Sequence, residues 1–491
     1  ILARLAALHH EAGERDQALE FSRRAVAALE GQMSSLGGGQ EVRASFSARY
    51  GSLYRSHLHL LVEADRPGEA FHVSERFRAR LFRSMLAERD LVFATDLPAE
   101  LDRERRLLKV EFDREYSTLV AASAERDADA VAETQARLEE LRLRRRDIEA
   151  QVRSASPRLA ALDAAEPLDL TAIRRALETG TLLLSYVIDD HDSYLFAVGP
   201  GEKDFKVVAL RAHREQLRTE VDLLRTTIAR GPTRLGGRLD RLADRLAEVL
   251  LEPVAEPLSR ADRVVVLADG PLHLLPFGAL PVPVGAPERQ LLVEAMPISF
   301  APSATVLAEV GSRRPSPQVQ RLAAFGDPVY PAAEPTTIAS AALLDMTRRG
   351  FDLRPLPATR VEVESLRGLF GDDAAVWLGP EATEERAKAL DQEVDFVHFA
   401  CHAFVDEGSP LDSGLVLTLP ADAGDADDNG LLQAWEIFER VRLDADLVTL
   451  SACETALGKE SGGEGILGLT RAFQFAGART VVASMWSVSD A

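Results

Sequence analysis

Two apolar, strand-like runs in this 491-residue chain finish on residues that can do chemistry together. The first, Asp395-Phe396-Val397-His398-Phe399-Ala400-Cys401-His402-Ala403, delivers an imidazole, His402, to the loop at its carboxyl end. The second, Leu447-Val448-Thr449-Leu450-Ser451-Ala452-Cys453-Glu454-Thr455, delivers a thiol, Cys453, to its own end. A thiolate attacks a peptide carbonyl; a nearby imidazole raises the thiolate fraction and later protonates the leaving amine. Backbone N–H groups around Cys453 and Ala403 are candidates to cradle the oxyanion that develops. If the two strands are neighbours, a helix over 431–440 makes the crossover between them and the pair meets at one edge of the sheet. Spacing and strand ends alone leave open whether this is a catalytic dyad or two buried fillers.

The surrounding pattern predicts the elements that must hold them. From about residue 180 onward strands and helices alternate, which predicts a mainly parallel sheet with helices on both faces. Strands are expected over 181–188, 194–198, 264–267, 321–325, 374–378, 395–401, 446–451 and 479–485. Helices are expected over 211–230, 238–251, 360–370, 382–390, 431–440 and 465–476. Active sites in such sheets lie at the carboxyl ends of the strands, where both candidate residues fall. Ahead of this region, residues 1–95 read as all-α. Leu5, Ala6, His9, Gly13, Ala18, Phe21 and Ala25 follow a helix–turn–helix spacing like that of tetratricopeptide repeats. Ala70-Phe71 answers Ala18 and Phe21, with an insertion expected at Gly37-Gly38-Gly39. Residues 96–165 read as a charged antiparallel helical hairpin with Leu107, Val110, Leu138, Leu141 and Ile148 on its apolar stripe, turning near 121–129. Residues 166–491 form the remaining domain, its catalytic half beginning near 315.

Bulk properties exclude other classes. With 57 basic and 78 acidic residues, the net charge of −21 argues against nucleic acid as the main partner. No run of about 18 apolar residues suits a membrane span. Two cysteines do not make a disulfide framework, so a reducing cytoplasm is expected. The start at Ile1-Leu2-Ala3-Arg4 reads as a helix in progress rather than a signal peptide, and both ends read as those of a trimmed piece. The Ala- and Arg-rich usage suggests a bacterial source with a GC-rich genome.

Other reactive residues have plainer readings. Cys401 precedes His402, and successive strand positions face opposite sides, so it reads as a buried small hydrophobe. Cys401, His402 and Cys453 lack zinc-site spacing and a fourth ligand. His398 reads as a satisfied core histidine, His273 as part of a structural landmark, and His9, His10, His57 and His59 as residues of the helical region. Gly462, Gly463 and Gly465 lack the Lys and Ser/Thr of a phosphate loop, and read as a loop before a helix that starts near Glu464.

A family resemblance then favours the dyad. Ser451-Ala452-Cys453-Glu454-Thr455, Gly458, Gly463-Glu464-Gly465, Gly468-Leu469, Ala472-Phe473, Ala476-Gly477-Ala478 and Trp486 resemble the CHAT family of caspase-like domains, often found behind tetratricopeptide repeats. Val397-His398-Phe399-Ala400-Cys401-His402 looks like that family's histidine strand. Asp269-Gly270-Pro271-Leu272-His273-Leu274-Leu275-Pro276-Phe277 and Leu356-Pro357-Ala358-Thr359 look like its upstream landmarks. The resemblance is dense from about 260 to 491. It implies a caspase/separase type of fold with Cys453 as nucleophile and His402 as acid/base. The 51 residues between them match the roughly 50 expected of a caspase-type pair. Caspases carry Gly after the histidine, where this chain has Ala403. Val481 to Asp490, ending Trp486-Ser487-Val488-Ser489-Asp490, resembles the separase segment whose Asp receives an arginine side chain, so Asp490 is the candidate selector for a basic P1 residue. The expected function is a cysteine endopeptidase needing neither metal nor cofactor. Its helical repeats would take a protein substrate or regulator. The rival readings are a non-catalytic signalling scaffold and a protease latent until a partner binds.

Overall fold

The computed structural model describes residues 1–33, 40–88, scattered positions from 98 to 118, 128–155, 167–229, 236–283, 289–312, 320–330, 353–406, 410–419, 428–454 and 464–485. The chain forms two compact units, Ile1–Ala172 and Ile173–Ala491.

The first unit is all-α. Helices Leu2–Glu11 and Arg15–Met33 pack as one pair and Gln40–Glu63 and Pro67–Glu88 as another, with the second and third helices also in contact. Ala18, Ala70 and Phe71 have no exposed surface, so the two small residues are buried as expected at close helix crossings and Phe71 fills the core beside Ala70. Each pair turns on a left-handed residue, Gly13 (φ 77°) and Asp65 (φ 56°). The glycine-rich insertion lies outside the described residues, as does 121–127 of the turn expected near 121–129; Ala128 and Asp129 already belong to the helix that follows. Helix Ala128–Ala155 buries Leu138, Leu141 and Ile148 as expected. Leu107, by contrast, is 62% exposed and its neighbour Leu108 is buried at 4%. One residue turns a helix by about 100°, so the apolar stripe lies one position from the one read in sequence; Val110 is outside the described residues.

The second unit contains two sheets. In the first, β1 (Thr181–Val187), β2 (Ser193–Val198) and β3 (Phe205–Leu210) form an antiparallel meander. Beside β1 lie β4 (Arg263–Leu267) and β5 (Ile298–Phe300), both parallel to it. The landmark at Asp269 closes this sheet: Asp269 Oδ2 accepts from Ile188 N at 2.7 Å, and Gly270 turns with φ 55°.

The second sheet holds the candidate site. Its parallel strands are β6 (Leu322–Gly326), β7 (Ala374–Leu378), β8 (Phe396–Phe404), β11 (Leu447–Glu454) and β12 (Thr480–Ala483), in the spatial order β7-β6-β8-β11-β12. The chain steps outward from β6 to β7, then returns across β6 to β8, which makes β6/β8 the topological switch point. A short hairpin, β9 (Gly414–Val416) and β10 (Leu431–Gln433), extends the sheet where β6 stops, with β9 antiparallel to β8. The expected helix over 431–440 therefore begins only at Ala434; Leu431–Gln433 is strand because it pairs with β9, and the helix is capped by Gln433 N donating to Glu436 Oε2 at 2.9 Å. Helix Pro357–Phe370 covers one face of the sheet, packing Val363 on Leu322, Ala324 and Ala400. Helix Glu464–Ala476 covers the other through Phe473, 5.6 Å from Phe399, which stacks on Phe325 at 4.9 Å. The landmark Leu356-Pro357-Ala358-Thr359 starts the first of these helices: Pro357 occupies its first turn, and Thr359 Oγ1 accepts from Asp327 N at 2.8 Å just past β6.

Helix Glu464–Ala476 ends on Gly477, at φ 123°. A Cβ there would lie 1.8 Å from the carbonyl oxygen of Leu443, so backbone rather than a movable side chain blocks it. Gly477→Ala is expected to lower the unfolding free energy by about 2–3 kcal/mol, read from the shift in denaturant midpoint.

Candidate active site

The site is built by one ladder. β8 and β11 pair in parallel through eight consecutive positions, Leu447↔Phe396 to Glu454↔Ala403, and Cys453 stands opposite His402. Neighbouring strands run about 4.8 Å apart, and residues level with one another on parallel strands share a face. Positions 398, 400 and 402 thus share a face with 449, 451 and 453. Both strands run on past the ends expected from sequence. His402 and Ala403 lie inside β8, flanked by Cys453 and Glu454 on one side and Val416 and Leu415 on the other, rather than in a loop. β8 and β11 extend by pairing with each other through Ala403 and Glu454, and β9 carries β8 on to Phe404.

His402 is only 5% exposed and is held on several sides. Its Nε2 lies 2.8 Å from the backbone carbonyl oxygen of Arg354. A carbonyl can only accept, so Nε2 carries the proton and Nδ1 the lone pair, the tautomer a general base requires. Tyr330 lies against the imidazole with ring centroids 5.1 Å apart. Its hydroxyl accepts from His402 N at 3.3 Å and donates to Val416 O at 2.9 Å. Burial pushes the Tyr330 phenol far above its ordinary pKa, so it remains protonated. Neither partner was read from sequence: Arg354 contributes a main-chain atom that any residue supplies, and Tyr330 belongs to none of the motifs.

One step back along the same face, His398 Nε2 meets Glu362 Oε1 at 2.9 Å, and Glu362 also bonds Ser451. Helix Pro357–Phe370 is thereby joined to both strands of the ladder. The His398 bond, opposed by burial and aided by Ser451, holds the Glu362 carboxyl below the ordinary carboxylate range. Cys401 faces the opposite side at 1% exposure, and burial pushes its thiol well up, so it stays an inert protonated filler. His273 lies in the short turn Gly270–Leu274 after β4, on the other sheet. Asp490 and Trp486 lie outside the described residues, as do Gly458, Gly462 and Gly463. The helix that follows starts at Glu464, as read from sequence.

The family model described as CHAT domain matches residues 240–491, just over half of the chain. The chain belongs to the CHAT domain family. Tetratricopeptide repeat protein 28 from Mus musculus is 27% identical over 266 residues, covering 47% of this chain and 10% of the relative. The protein of the same name from Homo sapiens gives the same identity and coverage. The chain thus spans about a tenth of the length of these curated relatives. Among solved structures, the Saccharomyces cerevisiae separase–securin complex aligns over 96% of this chain and 37% of that one, with a TM-score of 0.42 and 10% identity.

In this CHAT domain the hairpin that completes β8 is anchored by a buried ionic cluster. Lys388 Nζ lies 2.5 Å from Glu384, 2.7 Å from Glu436 and 3.1 Å from Asp428. Glu384 Oε2 also accepts from Gly430 N at 2.6 Å, at the turn before β10. Burial opposes the Lys388 charge, but bonds to Glu384 and Glu436 outweigh it and hold the ammonium above its ordinary range. Burial, with Glu384 alongside, pushes Glu436 up to about 7. Lys388 and Glu436 lie 48 residues apart in the chain and the cluster fits no motif, so sequence reading missed it.

Lys388→Met would leave buried carboxylates without their counter-charge and is expected to cost about 3–5 kcal/mol of stability. Glu436→Gln, which keeps the Lys388–Glu384 pair, should cost clearly less in the same denaturant titration. Glu362 gives a pH dependence. Its folded pKa is depressed, so its contribution is present above the unfolded carboxylate range and lost as pH falls through the folded value. Because Glu362 is 38% exposed, screening limits that contribution to under about 1 kcal/mol. Between about pH 7 and about pH 3, the wild type should therefore lose more stability than Glu362→Gln does.

Proposed function

We propose that this CHAT protein is a cysteine endopeptidase of the caspase/separase type, with Cys453 as nucleophile and His402 as acid/base. The observation that supports this reading most is the register of Cys453 against His402, joined to the bond that fixes the His402 proton on Nε2. In the proposed reaction, His402 Nδ1 takes the Cys453 thiol proton and the thiolate adds to the scissile carbonyl carbon. The tetrahedral intermediate collapses as the imidazolium protonates the leaving amine, which leaves an acyl-enzyme. His402 then takes a proton from water, hydroxide adds to the thioester, and the released thiolate is reprotonated. Backbone N–H groups at Cys453 and Ala403 are assigned to the oxyanion. Both residues stand within strands, so that role requires the strand ends to turn their amides toward substrate, which gives a partner-dependent latency a physical basis.

Asp490 is assigned to a basic P1 side chain through a charge-assisted pair. The helical repeats, residues 1–95, are assigned to binding a protein substrate or regulator, and residues 166–491, after the hairpin 96–165, to the peptidase domain. A reducing cytoplasm would keep Cys453 reduced. Among the described residues, no helix is long and apolar enough to cross a membrane.

Labelling by an electrophilic peptide with Arg at P1 tests the assignment. Loss of labelling in Cys453→Ala, and a rate about 100-fold or more lower in His402→Ala, are expected. Asp490→Ala should erase the preference for Arg over an arginine-free probe; equal labelling by both probes in the wild type would end the P1 assignment. Wild type left unlabelled, even with candidate partners added, would favour the non-catalytic scaffold.

A further inference from the structure

In the helical unit, three side chains from two helices turn their ligand atoms toward one point. His10 lies in the last turn of Leu2–Glu11, and His59 and Glu63 lie four residues apart on Gln40–Glu63, hence on one face of that helix. Their nitrogen and carboxylate oxygen atoms all fall within 4.8 Å of one another. Glu63 turns Oε2 toward His10 Nδ1 and Oε1 toward His59 Nε2, each at 3.5 Å. The two rings meet edge to face at 6.1 Å.

At 3.5 Å both contacts are ion-pair distances, longer than a closed hydrogen bond, and each uses its own Glu63 oxygen. An N–H···O bond closes to about 2.7–3.2 Å, as the neighbouring His9–Glu14 pair does at 2.5 Å. Donors around a tetrahedral ion with bonds of about 2.0–2.1 Å stand about 3.3–3.4 Å apart, close to the spacing at Glu63. Two other histidines of this unit, His9 and His57, are engaged differently. His9 stacks on Phe21 at 5.0 Å. His57 meets Ser22 Oγ at 2.7 Å, and burial, with Arg76 nearby, lowers its pKa to about 4.

We infer that His10, His59 and Glu63 form a binding site for a divalent transition-metal ion, zinc being the best match, that clips the first helix to the third. Two imidazoles and one carboxylate favour zinc over magnesium or calcium, which take oxygen donors. The fourth position falls to water or to a donor from a bound partner, because His10 and Glu63 are each 39% exposed. The ion would fix the crossing of the two helical pairs, and with it the surface they present. The inference is independent of the dyad.

Zinc affinity of the full chain, measured by competition with a chromophoric chelator, tests it. Wild type and Cys453→Ala are each expected to bind one equivalent, without competition from magnesium. His10→Gln, His59→Gln and Glu63→Gln should each bind at least about tenfold more weakly, since each removes one of three ligands. All three residues are partly exposed, so far-ultraviolet circular dichroism should match wild type. Zinc should raise the melting temperature of the wild type and not that of the variants. Absence of stoichiometric binding in wild type, affinity unchanged in the histidine variants, or affinity lost in Cys453→Ala would each overturn the site.

Discussion

The parallel ladder between β8 and β11 is the constraint on which the candidate site depends. A shift of one residue along it would move Cys453 away from His402 and turn one strand's reactive residue to the other face. That register is fixed by what packs on each side of the sheet. Phe325, Phe399 and Phe473 interlock on one face, while Val363 closes over Ala324 and Ala400 on the other. The switch point at β6/β8 places the opening of the sheet at the same edge, where Asp327, Thr359 and Arg360 tie the end of β6 to the helix that follows.

Around this ladder the polar groups are arranged to hold a histidine rather than only to bury one. A main-chain carbonyl takes the Nε2 proton, a buried phenol supports the ring, and a second histidine four residues back binds helix Pro357–Phe370 to the sheet. The buried Lys388 cluster acts at a distance, holding the turn before β10 and so the hairpin beside His402. Its two buried carboxylates and one ammonium are costly to bury and weak evidence for stability in themselves. Their effect is to fix where a three-residue strand lies.

The sequence made the large elements legible because each has a periodic signal. Strand 374–378 and the cores of β6, β8 and β11 fall where the apolar runs are, while the caspase-like fold was legible through the resemblance to the CHAT family. What it hid had no local signal. β9 and β10 are three residues each, too short to show alternation, and Leu431-Leu432-Gln433 reads equally well as the start of the next helix. Beyond His402, β8 is carried on by pairing to that hairpin on one side and to β11 on the other. The apolar stripe of the charged region slipped by one position, from Leu107 to Leu108, because so many charges leave its helical phase poorly marked. Arg354 acts through a carbonyl, and Lys388 meets Glu436 only after the chain has folded.

β8 changes partner midway on one side, from β6 over Phe396–Ala400 to β9 over His402–Phe404, while β11 runs beside it along almost its whole length. In terms of amide exchange, this gives the strand two lifetimes. The inner stretch opens only with the sheet, and its protection approaches that of global unfolding. The outer edge has three residue pairs to β9, beside its pairing with β11, and is expected to exchange sooner. An exchange boundary near Cys401 would mark the point where β6 gives way to β9 along one continuous strand.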